Sequence, residues 1–233
     1  MPVGVIINVA SVVLGGFLGS VMGNKLSDAL KREMITVFGI CALGMGVASV
    51  ILMKNMPAVI FSVIMGTLTG TMIDLDGKIR RGAGTLLNKL NLGEGVDTQL
   101  LVTATVLFCA SGTGVYGSLT SGMTGDHSIL IAKSVLDFFT AMIFACQLKR
   151  AVMLIGVPQI IIMLSLFFAA KLILPLADDS MIADFKACGG IVLLATGFTI
   201  MKVKQIPIAN MLLSMVIVMP VSAFWMHVLN PLF

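Results

Sequence analysis

Eight runs of mostly apolar residues, each long enough to cross a lipid bilayer, dominate this chain. A transmembrane helix needs about 20 such residues, within a range of about 17–25. The runs, numbered here as spans 1 to 8, cover residues 3–22, 35–53, 57–73, 99–120, 128–147, 151–174, 182–201 and 206–229. They predict an all-α fold, a polytopic membrane helix bundle with about eight transmembrane helices.

The composition agrees with this fold class. The chain is 58% hydrophobic and only 11% charged, whereas soluble domains have about 45–50% apolar and about 25% charged residues. The net charge of +4 does not indicate nucleic acid, because aromatic residues make up only 6% of the chain and are too sparse for a base-stacking surface. We therefore expect a protein whose partner is the lipid bilayer, without nucleic acid.

Motifs for metal, cofactor or enzyme chemistry are missing from the sequence. The four cysteines lie in apolar runs without a CxxC spacing or clustering with histidine, so no zinc site is indicated. The sequence has neither HExxH nor GxSxG, and its two histidines lie near span ends. We expect no cofactor, no metal and no enzymatic activity.

Basic residues set the predicted orientation. If the spans alternate, the odd-numbered connections lie on one side of the membrane and carry eleven basic residues. The other side carries only Lys54 and, at helix ends, Lys171 and Lys186. The positive-inside rule then places both termini outside and the odd-numbered connections in the cytoplasm. The odd-numbered connections carry Lys25, Lys31, Arg32, Lys78, Arg80, Arg81, Lys89, Lys149, Arg150, Lys202 and Lys204.

Glycines are concentrated in span 4 and the loop that follows it. Gly112, Gly114 and Gly117 match the G-x-G-x-x-G pattern of dinucleotide sites, but that pattern works only between a strand and a helix of a soluble βαβ unit. We expect instead that the glycines, with Ser118 and its neighbours, break or unwind helix 4. Two interpretations stay open for residues 112–125: a backbone lining a cavity, or tight helix packing.

Glycines at intervals of four residues occur in two other spans. Gly15, Gly19 and Gly23 lie in span 1, and Gly66 and Gly70 lie in span 3. Small residues at this spacing let helix backbones approach closely in lipid. The pattern predicts a tight bundle, and it is also compatible with a homo-oligomer.

Two ionisable residues lie deep inside span 5. Lys133 and Asp137 are four residues apart, so they share one helix face and can pair with each other. A charge within a span costs about 2.5–3.5 kcal/mol on insertion scales, which makes such residues functional candidates. They are either a structural ion pair or part of a binding site for substrate or coupling ion.

Other polar candidates lie around this pair. Asp126 precedes helix 5 and can cap its N-terminus. Asn8 in span 1, Gln159 in span 6 and Asn210 in span 8 carry amides that can bind a substrate or hydrogen-bond between helices.

Sliding the chain against itself by 151 residues aligns spans 1–3 with spans 6–8 without a gap. The alternating topology would invert the two triplets, and inverted triplets are a recurrent plan of secondary transporters. We predict one membrane domain, residues 1–233, in which repeat 1 (3–73) and repeat 2 (151–229) flank a central hairpin (99–147) of glycine-broken helix 4 and charged helix 5. The offset places Asn8 on Gln159, Gly39-Ile40 on Gly190-Ile191, Leu43 on Leu194, Gly46 on Gly197 and Ala58 on Ala209.

Short elements along nearly the whole chain form a recognisable series. They are Ile6-Ile7-Asn8, Ile73-Asp74-Leu75-Asp76-Gly77, Phe108-Cys109, Gly117-Ser118, Gly122, Gly125-Asp126, Lys133-Ser-Val-Leu-Asp137, Gln159, Gly189-Gly190 and Ile208-Ala209-Asn210. The series resembles the bacterial YqgA-like (YdfK-like) membrane proteins, catalogued as a domain of unknown function. The resemblance implies the same architecture and draws attention to Asp126, Lys133 and Asp137, without naming a substrate.

The chain departs from the family pattern at two places. Thr71 stands where the pattern has an acidic residue, and Leu213 or Ser214 stands where it has a proline. Proton or cation coupling through a carboxylate at the first position is therefore not implied for this chain.

These features favour a secondary transporter of a small polar or anionic solute, coupled to protons or sodium. Asp137 and Lys133 would form the site, backbone groups of 112–125 would complete it, and Asn8 and Gln159 would line it. The alternatives are an ion or small-solute channel, and a membrane scaffold or sensor without transport activity.

Overall fold

The computed structural model describes residues 1–22, 27–89, 98–109, 111–173, 175 and 177–226. These residues form helices and connecting turns, with no β-strand among them. The helices are α1 (Val3–Met22), α2 (Asp28–Val50), α3 (Met56–Met72), α4 (Leu75–Lys89), α5 (Thr98–Cys109), α6 (Gly112–Thr124), α7 (Ser128–Leu148), α8 (Ala151–Leu154), α9 (Gly156–Ile173), α10 (Asp179–Ile200), α11 (Ile208–Met211) and α12 (Leu213–Phe224).

The all-helical membrane fold is confirmed. Within the described residues, six helical segments are long and apolar enough to cross a membrane, or seven if the bent pair α3 and α4 counts as one span. The last apolar run is covered by a shorter stretch, Ile208–Phe224, and its residues 227–229 lie outside the described part. The number of eight spans stays a prediction.

The chain divides into two compact units, and each is built from two separate segments of the sequence. Unit 1 comprises residues Met1–Val37 and Gly77–Lys171, and unit 2 comprises Phe38–Asp76 and Leu172–Phe233. Helix α1 of predicted repeat 1 therefore packs in unit 1 with most of α9 from predicted repeat 2. The boundaries of the predicted repeats therefore do not coincide with the boundaries of the two units.

In unit 1, helix α1 lies against α7 with little space between the backbones. A Cβ atom on Gly15 would collide with the carbonyl oxygen of Phe138, and one on Gly19 would collide with that of Met142. From the first contact to the second, the residue number rises by four on both helices, so α1 and α7 run parallel. The glycine spacing of span 1 thus serves packing within the chain.

The glycine-rich part of span 4 is helical, so the expectation of an unwound segment is wrong for residues 112–124. The interruption lies just before it: α5 ends at Cys109, and Ser111 caps α6 by accepting a hydrogen bond from the Gly114 amide at 3.1 Å. Residue 110 lies outside the described part. Gly117 faces Leu130, and Gly122 faces the carbonyl of Phe167. The structure favours tight packing at Gly117 and Gly122, because the missing side chain at each position admits a neighbour.

In unit 2, helices α2 and α10 meet through two glycine pairs. A Cβ atom on Gly39 would lie 3.0 Å from the carbonyl oxygen of Gly197, and one on Gly197 would lie 2.9 Å from that of Gly39. Gly46 and Gly190 repeat this arrangement, at 2.9 and 2.8 Å. One residue number rises as the other falls, so α2 and α10 run antiparallel.

Helices α3 and α12, with the short α11, form the second close contact of unit 2. Gly66 lies against the backbone of Ser214, and Gly70 lies against the carbonyl of Asn210. These positions again run in opposite directions. The two glycines of span 3 are therefore used to bring helices of one chain together.

We expect Gly70→Ala to lower the melting temperature of the purified protein in detergent. Alanine in a helix gains about 1 kcal/mol over glycine, but at Gly70 the methyl group would collide with a backbone carbonyl that cannot rotate away. Overpacking of this kind costs about 1–3 kcal/mol.

Gly44→Ala is the matched control, because a Cβ atom there meets nothing within 4 Å. It should raise the melting temperature slightly through helix propensity alone. Equal effects of the two substitutions would contradict the close contact between α3 and the α11–α12 segment.

Candidate functional site

A buried ion pair lies near the middle of α7. The Lys133 ammonium donates to Asp137 Oδ2 at 2.5 Å, as their spacing of four residues predicts. Lys133 is 3% exposed and Asp137 is 7% exposed. Asp137 is the tenth of the 21 residues of α7, so the pair is remote from both helix ends.

Helix α1 adds a second donor to the same oxygen. The Asn8 amide nitrogen donates to Asp137 Oδ2 at 2.9 Å, and Asn8 is fully buried. Hydrogen bonds to an ionised group are stronger than neutral ones. The bond therefore ties α1 to α7 by more than apolar packing.

The network continues into α9. The Gln159 amide nitrogen donates to Asn8 Oδ1 at 2.9 Å. The amide orientations follow from the charge: Asn8 must turn its nitrogen toward the carboxylate, so its oxygen faces Gln159, which must offer its own nitrogen. All hydrogen bonds of the network point toward Asp137.

The network ends on an unpartnered oxygen. Gln159 Oε1 is buried and has no hydrogen-bond partner among the described residues. A buried acceptor without a donor costs about 1–3 kcal/mol. Asp137 Oδ1 also accepts no hydrogen bond in the described part of the chain, since both bonds to this carboxylate end on Oδ2. The network therefore offers two oxygens to a ligand.

Close helix packing positions these side chains. The backbone contacts at Gly15 and Gly19 hold α1 against α7, and Asn8 lies on the same helix two turns earlier. A Cβ atom on Gly114 would lie 3.2 Å from Lys133 Cε, so the first turn of α6 borders the lysine side chain. Cys109, the last residue of α5, is close enough to interact electrostatically with both Lys133 and Asp137. The interruption of helix 4 thus borders the ion pair.

The structure brings Asn8, Lys133, Asp137 and Gln159 together, with Gly114 beside them. Gly112 begins α6, and Gly117 packs against Leu130. Ser118 is fully buried, and its hydroxyl has no partner among the described residues.

Two other predicted site residues have local roles. Asp126 is exposed and accepts a hydrogen bond from the Ser128 amide at 2.9 Å. It lies one residue before the N-cap of α7, which is His127, and the His127 side chain makes no capping hydrogen bond. Asn210 belongs to unit 2, where it accepts from the Asp76 amide at 2.8 Å and donates to Thr71 Oγ1 at 3.5 Å. No group of three or more metal-binding side chains occurs in the described ranges.

A second buried carboxylate, Asp184 in unit 2, was not predicted from the sequence. It is fully buried, although its place near the start of span 7 suggested access to water. Asp184 Oδ1 accepts from the backbone amides of Lys54 and Asn55 at 2.8 and 2.9 Å. Asp184 Oδ2 accepts from the Asn55 side chain at 2.8 Å and from the Ser222 hydroxyl at 2.6 Å. Four donors satisfy this carboxylate and fix the α2–α3 connection to α10 and α12.

We expect Asp184→Asn to destabilise the protein by about 1–3 kcal/mol, because one carboxylate oxygen is replaced by an amide group that faces existing donors. Thermal unfolding in detergent measures the change. Asp126→Asn is the control, since residue 126 is exposed and asparagine offers the Ser128 amide a side-chain oxygen in the same place. Similar melting temperatures for both variants would show that the four hydrogen bonds do not stabilise unit 2.

Comparisons with known proteins place the chain in a family. The family model described as "Protein of unknown function (DUF554)" matches residues 3–223. The "Uncharacterized protein YqgA" of Escherichia coli (strain K12) is 44% identical over 230 residues, covering 97% of this chain and 98% of the relative. The "Uncharacterized membrane protein YdfK" of Bacillus subtilis (strain 168) is 24% identical, with 96% of each chain covered. No solved structure matches. The chain is a membrane protein that belongs to the DUF554 family.

Proposed function

We propose that this protein is a secondary transporter of a small polar solute, driven by an ion gradient. The observation that supports this proposal best is the buried network of Lys133, Asp137, Asn8 and Gln159, which ends on an unpartnered oxygen. Charged residues inside a membrane are costly, and they commonly mark the path of a substrate or ion. A network that only held helices together would be expected to pair every buried acceptor, because an unpaired one lowers the stability of the protein.

The contacts within each unit support an inverted repeat related by the 151-residue offset. In unit 1, Asn8 and Gln159 are equivalent under this offset and bond directly to each other. In unit 2, the offset converts the Gly39–Gly197 contact into the Gly46–Gly190 contact, and the two have nearly equal distances. Reciprocal contacts of this kind are expected from a two-fold relation between repeats. Secondary transporters built from inverted repeats bind their substrates near the membrane midplane.

The proposed location is the bacterial cytoplasmic membrane, with both termini outside. The support is the distribution of basic side chains, eleven on one side of the alternating topology against three on the other. The packing directions agree with alternation in each unit. Helices α1 and α7 run parallel, as spans 1 and 5 must, and α2 and α10 run antiparallel, as spans 2 and 7 must.

Reporter fusions test the topology. Alkaline phosphatase fused after Phe233 should be active, and green fluorescent protein at the same place should be dark, because only the phosphatase matures outside the cytoplasm. Fusions within the connection after Lys149 should give the opposite result. A fluorescent C-terminal fusion would contradict the proposed orientation.

The transport proposal predicts that Asp137→Asn abolishes ion-coupled uptake while the protein stays folded. The purified protein is first screened by thermal shift against organic anions, amino acids and metal ions, because a ligand raises the melting temperature of the state that it binds. Uptake of the best ligand is then measured in proteoliposomes. The exposed variant Asp126→Asn should transport as the wild type does.

Full uptake by Asp137→Asn would overturn the assignment of the site. Single-channel currents would favour a channel, and absence of flux across the whole panel would favour a scaffold or sensor.

A further inference from the structure

We infer that α4 lies in the plane of the membrane surface and binds the phosphate headgroups of anionic phospholipids. The inference is independent of the transport proposal, because it concerns a helix outside the ion-pair network. Helix α4 (Leu75–Lys89) carries four basic residues and one acidic residue within 15 positions. A helix with so many charges is poorly suited to the interior of a lipid bilayer, so α4 is not expected to continue the span that ends with α3.

The preceding helix sets the level of α4 relative to the bilayer. Helix α3 has 17 residues, which is the lower limit for a transmembrane helix. The Cα atoms of Met72, its last residue, and Leu75 are three peptide bonds apart and so lie within about 11 Å of each other. The helix axis bends at this break. If α3 crosses the bilayer, α4 therefore begins at the membrane surface.

The first turn of α4 is held in place by a hydrogen bond. The Asp76 amide donates to Asn210 Oδ1 at 2.8 Å, which fixes this turn to α11 within unit 2. The helix is thus attached at its start by a contact as well as by the short connection to α3, and it cannot move far from the bilayer.

Two glycines show that opposite sides of α4 have different surroundings. A Cβ atom on Gly84 would lie 3.7 Å from Val102 Cγ2, so this side faces α5 within unit 1. A Cβ atom on Gly82 would meet nothing within 4 Å. With 3.6 residues per turn, positions two apart point in nearly opposite directions. The side of Gly82 is therefore the open one.

The open side carries a row of basic residues, here called the lysine stripe. Positions separated by three or four residues share one face of a helix. The stripe consists of Lys78, Gly82, Thr85 and Lys89, and all four residues are exposed. Arg81 is also exposed and lies beside the stripe. Ammonium and guanidinium groups in such a row complement the negative charge of phosphate groups.

An apolar sector borders the lysine stripe. Leu75 and Ile79 are four residues apart and half-buried, and in the sequence Leu86 follows Ile79 by seven positions, which continues the same line. A helix that combines an apolar sector with a row of basic residues is typical of the membrane surface. There the apolar side chains reach the acyl chains, and lysine side chains extend to the headgroups.

The position of α4 favours lipid over a soluble partner. Clusters of lysine and arginine next to a transmembrane helix attract anionic lipids, whose headgroups are concentrated at the membrane surface. A nucleic acid or an acidic protein would have to displace these lipids from a helix that is attached to the bilayer by α3. The structure and its charges therefore point to an anionic phospholipid.

Quenching of a single tryptophan tests this contact. The chain has one tryptophan, Trp225, so a protein with Trp225→Phe and Ile79→Trp carries its only tryptophan on α4. It is reconstituted in bilayers of phosphatidylcholine and phosphatidylglycerol, one of which carries bromine on its acyl chains. At equal mole fraction, brominated phosphatidylglycerol should bind next to the introduced tryptophan with at least about threefold preference over brominated phosphatidylcholine. The preference should fall as salt is added, because salt screens charges at the surface.

The lysine stripe is tested by removing its two charges. Lys78→Gln combined with Lys89→Gln should lower the preference for phosphatidylglycerol at least about twofold. Glutamine and lysine have similar helix propensities, so α4 itself should be retained. Arg80 and Arg81 stay unchanged because they also interact with other parts of the protein.

The matched control removes the same charge elsewhere. Lys202→Gln combined with Lys204→Gln deletes two exposed lysines from the connection between α10 and α11. This pair should leave the lipid preference unchanged. Equal losses in the two pairs of substitutions would show that net charge, and not the lysine stripe, selects the lipid.

Equal quenching by the two brominated lipids would overturn the inference, and no quenching by either would show that this face of α4 does not contact lipid. Glycerol phosphate, compared with sodium chloride at equal ionic strength, should leave the preference unchanged. A loss with glycerol phosphate alone would assign the stripe to a soluble phosphate instead.

Size-exclusion chromatography checks that each variant is folded. If Ile79→Trp does not fold, the phospholipid that co-purifies with the protein still decides the question. Mass spectrometry should then find less phosphatidylglycerol per protein in the variant with Lys78→Gln and Lys89→Gln than in the control pair. Equal amounts in both would contradict the inference, whereas loss of solute transport would not affect it.

Discussion

A carboxylate inside a lipid bilayer has to find all its hydrogen-bond donors within the protein, because the lipid tails supply none. This requirement governs the polar interior of both units. Asp184 meets it with four donors, two from the backbone and two from side chains. Asp137 meets it only in part, with an ammonium and an amide that share one oxygen. The first carboxylate is suited to holding helices together, and the second keeps capacity for a ligand.

Glycines allow the helices to lie close enough for these buried hydrogen bonds to form. Short side chains such as asparagine bridge two helices only where the backbones lie close. In unit 1 the close approach of α1 to α7 at Gly15 and Gly19 belongs to the same helix pair in which Asn8 reaches Asp137. In unit 2 the approach of α3 to the α11–α12 segment at Gly66 and Gly70 accompanies the bonds of Asn210. The glycines therefore bring the helices together at the places where the buried amides form hydrogen bonds between them.

Structural features that depend on local sequence patterns were predicted correctly. The spacing of Lys133 and Asp137 on one helix face was enough to predict their ion pair, and apolar run lengths predicted most helices. Contacts between distant helices were predicted less completely. Asn8 and Gln159 were expected to line the same site as Asp137, but no pattern in the sequence predicted that Asn8 bonds to both. For the glycines of residues 112–124, the expected unwinding was wrong, while tight packing was one of two interpretations that stayed open. Glycine serves equally in a break and in a tightly packed helix, and only the neighbours distinguish the two.

A chain of amides that all point one way has a consequence for kinetics. Each carboxamide has one donor end and one acceptor end, so neither Asn8 nor Gln159 can turn alone without placing like ends against each other. A buried mismatch of this kind costs as much as a lost hydrogen bond or more. The two amides therefore reverse together or not at all, and intermediate arrangements are sparsely populated. If the charge of Asp137 changed, the carboxamides of Asn8 on α1 and Gln159 on α9 would therefore rotate together. This cooperative rotation would be slow compared with the free rotation of an exposed side chain.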